Sequence, residues 1–261
     1  MKENSDSFFR QLFELIAVFV VATCISYPFR NNVFHFQTDG INVFGVPVFR
    51  VLLEASGPLI ATLIFTRGFK RYWNPVTFFG SSPIHATIVV FCPALAFFIA
   101  GIPNAVGVSS HVYGFVVGLT VTIYCVMEES LWRGFLQNRL SAMQWGLRYL
   151  LVGAGWYFWH TSYLADRVSL VNEAIFFILL VAGSFGLGSL AEKTNSVFVT
   201  ATFHLLINIL SLNQLTKNQS TVQKTILACL CLAMLIPVLM HWSRRDAQEK
   251  NRQWVNQGAT P

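Results

Sequence analysis

Apolar residues run along this chain in long blocks separated by short polar breaks. Eight blocks stand out, at residues 9–27, 47–66, 84–101, 112–136, 146–164, 170–190, 196–212 and 223–242. Each is near the ~20 residues that a helix needs to cross a bilayer core of ~30 Å. The breaks carry turn chemistry: Tyr27-Pro28, Asn74-Pro75, Ser82-Pro83, Ile102-Pro103-Asn104 and Lys193-Thr194-Asn195. The pattern predicts an all-α fold, a polytopic membrane helix bundle of about eight transmembrane helices. No repeat of fixed period and no low-complexity segment interrupts it. The polar stretch after Trp242 is expected to be disordered or to lie on the surface.

Composition points to the same solvent. The chain is 54% hydrophobic and only 11% charged, against about 25% charged in typical soluble proteins. Its net charge is +6, but the basic residues are scattered between apolar blocks, which argues against a nucleic-acid partner. They fit orientation in a membrane better. With both termini in the cytoplasm, that side collects twelve Lys and Arg residues, and the other side collects Arg30, Arg50, Arg167, Lys217 and Lys224. The positive-inside bias favours this topology, and the compact chain suggests a bacterial plasma membrane. Glu14 interrupts the first block, which reads as a retained span rather than a cleaved signal. All five cysteines fall in apolar blocks and read as buried thiols.

Against this background the stretch "CVMEESLWRGFLQ" is anomalous. Glu128, Glu129 and Arg133 end a long apolar block. Each would cost about 2.5–3.5 kcal/mol if left unpaired at mid-bilayer, so they are expected to face protein or water. Glu129 and Arg133 are four residues apart, hence on one helical face and able to pair. Glu128 points ~100° away around the helix and is expected to face a neighbouring helix.

Two later blocks offer partners. "GWYFWHTSY" places His160 in the fifth, and "TATFHLLINIL" places His204 and Asn208 four apart on one face of the seventh. A single His in a span is commonly a helix-packing hydrogen bonder. A carboxylate, two imidazoles and an amide on three helices form a set able to do hydrolytic chemistry. The carboxylate would take a proton from water, an imidazole would orient that water, and His and Asn donors would hold the developing oxyanion.

These residues carry a family resemblance. "EESLWRGFLQ" resembles the first motif of the CPBP family of CAAX proteases and bacteriocin-processing enzymes, Glu-Glu-x-x-x-Arg with an aromatic before the Arg and Gly after it: Glu128, Glu129, Trp132, Arg133 and Gly134. An aromatic, three residues, then His is matched by Trp156 and His160, with Trp where Phe is more usual. His-x-x-x-Asn is matched by His204 and Asn208. The resemblance implies an intramembrane endopeptidase of the type II CAAX prenyl endopeptidase kind. It implies that Glu128 and His160 activate water, that His204 and Asn208 bind the oxyanion, and that Glu129 and Arg133 support the site. The expected partners are membrane lipid and a membrane-associated peptide or protein substrate, possibly lipidated.

The expected organisation is N-terminal transmembrane helices over 1–110, the protease-like core over 111–215, and a last helix with a polar cytoplasmic tail over 216–261. No cofactor is expected in the leading reading. Three alternatives stay open: a zinc protease with Glu128, His160 and His204 as ligands, a non-catalytic bacteriocin-immunity membrane protein, and a proton-coupled transporter. Glu54 either lines the cavity or hydrogen-bonds structurally. His111 is expected at a span end facing water, His35, His85 and His241 at the interface, and Trp73, Trp145 and Trp242 in the aromatic belt.

Overall fold

The computed structural model describes the backbone of residues 2–31, 33, 42–68, 76–161, 169–211, 215 and 219–256, and most side chains between residues 13 and 248. The turn at Asn74-Pro75 and residues His35, Trp73 and Arg167 lie outside the described residues. Helices dominate: α1 (Lys2–Arg30), α2 (Val48–Gly68), α3 (Pro83–Ala100), α4 (Ser110–Glu129), a π-helical segment (Ser130–Leu136), α5 (Gln137–Arg139), α6 (Trp145–Thr161), α7 (Leu170–Thr194), α8 (Val197–Ser211) and α9 (Thr221–Asn256). α4, the π segment and α5 form one continuous rod from Ser110 to Arg139. The described helices therefore make eight rods, matching the eight apolar blocks.

Six rods are long and apolar enough to cross a membrane, and the chain is a multi-pass membrane protein. The two shorter ones are α6, with 17 residues, and α8, with 15. At 1.5 Å per residue α8 spans roughly 22 Å. These two carry His160, His204 and Asn208.

The break expected at Tyr27-Pro28 is not there, because α1 runs through Pro28 to Arg30. Proline is tolerated inside transmembrane helices, where neighbouring helices accommodate the lost backbone bond. The Tyr27 carbonyl accepts from the Asn31 amide at 3.0 Å and from Asn31 Nδ2 at 3.1 Å, which closes the helix end. The tail after Trp242, expected to be disordered or to lie on the surface, is helical, as α9 continues to Asn256, and its side chains are exposed at residues 243–245 and 247–248. Trp242 itself is buried and donates to Ser81 Oγ at 2.8 Å, so it anchors α9 to the start of α3 rather than facing the headgroups.

Close helix contact relies on small residues, as in lipid, where apolar burial alone gives little preference for helix over tail. The Gly57 amide donates to Ser26 Oγ at 3.1 Å, and a Cβ at Gly57 would collide with the Ala22 carbonyl. That contact fixes α2 against the last turns of α1. Gly118 does the same for α4 on α3, where a Cβ would sit 2.9 Å from Ala94 Cα. Arg139 Nε donates to Glu14 Oε2 at 2.7 Å, while Arg30 lies against Glu128. α1 is therefore antiparallel to the α4–α5 rod, with its C-terminal end at the level of the adjacent glutamates.

Candidate active site

α4 does not stop at the glutamates. Its ladder loosens into the π segment, where the Gln137 amide reaches the Trp132 carbonyl five residues back. A π turn inserts one residue per turn and re-aims the side chains around it, which is why such segments recur at functional sites. All seven residues from Ser130 to Leu136 are buried. This rod lies at the centre of the bundle, packed by α2, α3, α6, α7 and α8.

The pair expected from helical spacing is present. Arg133 Nη1 donates to Glu129 Oε1 at 2.9 Å, with both side chains fully buried. Spacing alone did not reveal the third member: His204 Nδ1 lies 2.9 Å from the same oxygen. A carboxylate oxygen only accepts, so Nδ1 carries the proton in this contact. Glu129 therefore orients His204 as well as neutralising Arg133, as a carboxylate fixes the ring and tautomer of a working histidine. His204 Nε2 then points at Glu128, 3.9 Å from Oε2.

Glu128 is fully buried and far from free. Its two oxygens have different surroundings. Oε1 accepts from Trp159 Nε1 at 3.0 Å and lies 3.7 Å from Arg30 Nη2. Oε2 accepts a longer bond from Trp156 Nε1, 3.4 Å, and faces His204 Nε2. Trp156 sits between the two histidines, its ring centroid 4.8 Å from that of His204 and 5.7 Å from that of His160. Arg133 stacks on it at 4.9 Å. Trp in place of the more usual Phe thus adds an N–H aimed at Glu128.

His160 is 5% exposed. Its Nδ1 lies 2.8 Å from the Trp156 carbonyl one turn back on α6. Nδ1 is again the donor, so Nε2 bears the lone pair of the neutral ring. Asn208 is one turn beyond His204 on α8, also buried, and its Nδ2 meets Cys125 Sγ at 3.5 Å. Sulfur is a weak acceptor, so this amide gives up little on turning to a stronger one.

The structure thus gathers Glu128, Glu129, Arg133 and His204 into one buried network, with His160 joined to it through Trp156 and Asn208 held on α8 beside Cys125. Sequence reasoning missed Arg30, Trp159 and Cys125. Trp156 and Trp159, three apart and flanking the His160 turn, were a usable signal for the indole clamp. Arg30 read as a loop charge because it follows Pro28.

Several buried polar atoms here have no hydrogen-bond partner among the described residues: His204 Nε2, Arg133 Nε and Nη2, Trp132 Nε1 and Glu129 Oε2. Buried groups of this kind are the ones water or a substrate carbonyl can satisfy. Among the described residues no three His, Cys, Asp or Glu side chains are grouped to hold a metal ion. His204 Nδ1 and His160 Nδ1 are both committed to protein oxygens.

Neither the comparison with curated proteins nor that with solved structures gives a match. A family model does match, and it covers residues 112–210, from the first turn of α4 to the last of α8. Every motif residue described above falls within that range, and α1, α2, α3 and α9 fall outside it. Over residues 112–210 the chain is thus similar to the family described as Rce1-like, type II CAAX prenyl endopeptidase Rce1-like, consistent with its CPBP motifs.

Proposed function

We propose that the protein is an intramembrane endopeptidase that hydrolyses peptide bonds in or near the membrane, with Glu128 as general base. The observation that carries this reading is the asymmetric carboxylate: Oε1 is bonded at 3.0 Å by Trp159, while Oε2 faces His204 Nε2 across 3.9 Å. Oε2 is the atom available to take a proton.

Water held by Glu128 Oε2 and His160 Nε2 loses a proton to the carboxylate as its oxygen attacks the scissile carbonyl carbon. The carbonyl π electrons move onto oxygen, and His204 Nε2–H and Asn208 Nδ2–H hold the oxyanion. Because Nδ1–H is bound to Glu129, Nε2 donates only when the ring is an imidazolium; Glu129 on one side and Glu128 on the other suit that charge. Collapse of the intermediate breaks the C–N bond, and the proton on Glu128 passes to the leaving amine. In this reading the carboxylate and the imidazoles activate the water without a metal. Arg133 holds Glu129 in place.

The substrate class is a membrane peptide or lipidated protein tail, and the supporting facts are the family match and the burial of the site among helices. The location is a bacterial plasma membrane with both termini in the cytoplasm, as the even number of rods and the Lys/Arg bias favour. The test is a mass-spectrometric comparison of membrane peptides from cells carrying wild type or Glu128→Gln. A precursor that accumulates only in the variant supports the reading and identifies the substrate. Identical peptides, with the variant correctly inserted and folded, would sink it.

A further inference from the structure

The family-matched segment brings two buried carboxylates, Glu128 and Glu129, but one buried guanidinium, Arg133. The buried charges of the site are not all drawn from that segment. The fourth charge comes from outside the segment. Arg30, in the last turn of α1, has a side chain only 2% exposed, and its Nη2 is 3.7 Å from Glu128 Oε1.

Contacts with Trp159 and Glu128 hold Arg30 there. Its Cζ lies 3.4 Å from the centroid of the Trp159 ring, which is close cation–π stacking. Its Nη1 donates to the Trp159 carbonyl at 3.4 Å. Its charge faces Glu128. Trp159 is pinned in turn by an edge-to-face contact with Trp132 at 6.1 Å and by its N–H on the same oxygen, Oε1. The guanidinium and the indole therefore bind one side of the carboxylate. The other side, Oε2, is left to the longer Trp156 bond and to His204. A carboxylate fixed through one oxygen and open at the other presents a defined lone pair to its substrate.

We propose that Arg30, acting with Trp159, is a positioning residue that fixes Glu128 through Oε1 and thereby selects Oε2 as the base, so that α1 belongs to the active site. The proposal rests on the reading of Glu128 as the base. It also assigns a purpose to the passage of α1 through Pro28: a helix that ended at Tyr27 would not carry Arg30 to the site.

The test uses the full chain in lipid nanodiscs and infrared difference spectroscopy. The Glu128 carboxyl stretch is identified as the band lost in Glu128→Gln. Arg30→Met shifts that band, and Arg30→Lys, which keeps the charge without the planar stack, returns it part of the way. With the substrate from the peptide comparison, Arg30→Met lowers kcat by roughly 10–100-fold, the loss of one close buried counter-charge, and leaves KM near wild type. A folded Arg30→Met protein whose Glu128 band coincides with that of wild type overturns the proposal. If Arg30→Met fails to fold, Trp159→Phe, which removes the N–H donor on Oε1 and the indole under Arg30, must shift the band instead. The infrared result needs no substrate, so it stands or falls apart from the protease reading, whose failure shows as unchanged peptides in Glu128→Gln.

Discussion

Two Arg–Glu pairs with the same four-residue spacing lie in different parts of this molecule. On α2, Arg50 Nε meets Glu54 Oε1 at 3.3 Å, with side chains 39% and 28% exposed. In the π segment, Arg133 Nη1 meets Glu129 Oε1 at 2.9 Å with no exposure at either residue. In sequence the two look alike. The α2 pair is a half-exposed ion pair, and such pairs contribute about 0–1 kcal/mol. The inner pair is buried beside a second carboxylate and shares its oxygen with His204. The difference teaches that spacing establishes a pair, while burial and the third partner decide what the pair is for. On α2, Glu54 accepts its bond from Arg50.

That contrast can be broken in several ways. The largest effect belongs to Glu128, which the inner network presents to substrate: Glu128→Gln is expected to lower cleavage by about 10²–10⁴-fold, the usual contribution of a general base, read from precursor accumulation. Next comes Arg133→Met, which strands Glu129 and is expected to cost about 3–5 kcal/mol of stability, measured by denaturant unfolding in detergent. A loss below 1 kcal/mol there would make the two pairs equivalent and void the comparison. Trp156→Phe keeps the ring between the histidines and removes the N–H on Oε2, so turnover should fall by about tenfold or less in a kinetic assay. Glu54→Gln, the control on the outer pair, should change stability by under about 1 kcal/mol in the same unfolding experiment. The smallest effect is chelation, which should leave cleavage unchanged; activity lost to chelator and restored by zinc would replace the water-activation scheme.

Much of this was legible in one dimension. Apolar block length located all eight rods, because the bilayer fixes how many residues a span needs. The Glu129–Arg133 pair followed from helical spacing, and the placing of His204 with Asn208 on one face followed from the same period. Other features were hidden. The π segment was hidden because Ser130–Leu136 continues the same apolar block, 112–136, and block length does not distinguish a π turn from an α turn. Pro28 looked like a helix end because proline ends helices in water, whereas this one lies among neighbouring helices. Trp242 looked like a belt residue, and its burial depends on where α9 crosses α3.

The sequence by itself determined the solvent, the helical class and the chemical types available for hydrolysis, because these depend on composition and on spacing within a helix. Only the tertiary structure decided how the charges are shared. It joined Glu129 to His204 across 75 positions and Arg30 to Glu128 across the whole of α2 and α3. Electrostatic balance in a buried site is set by distance in space, and no local pattern records which distant charge will arrive to complete it.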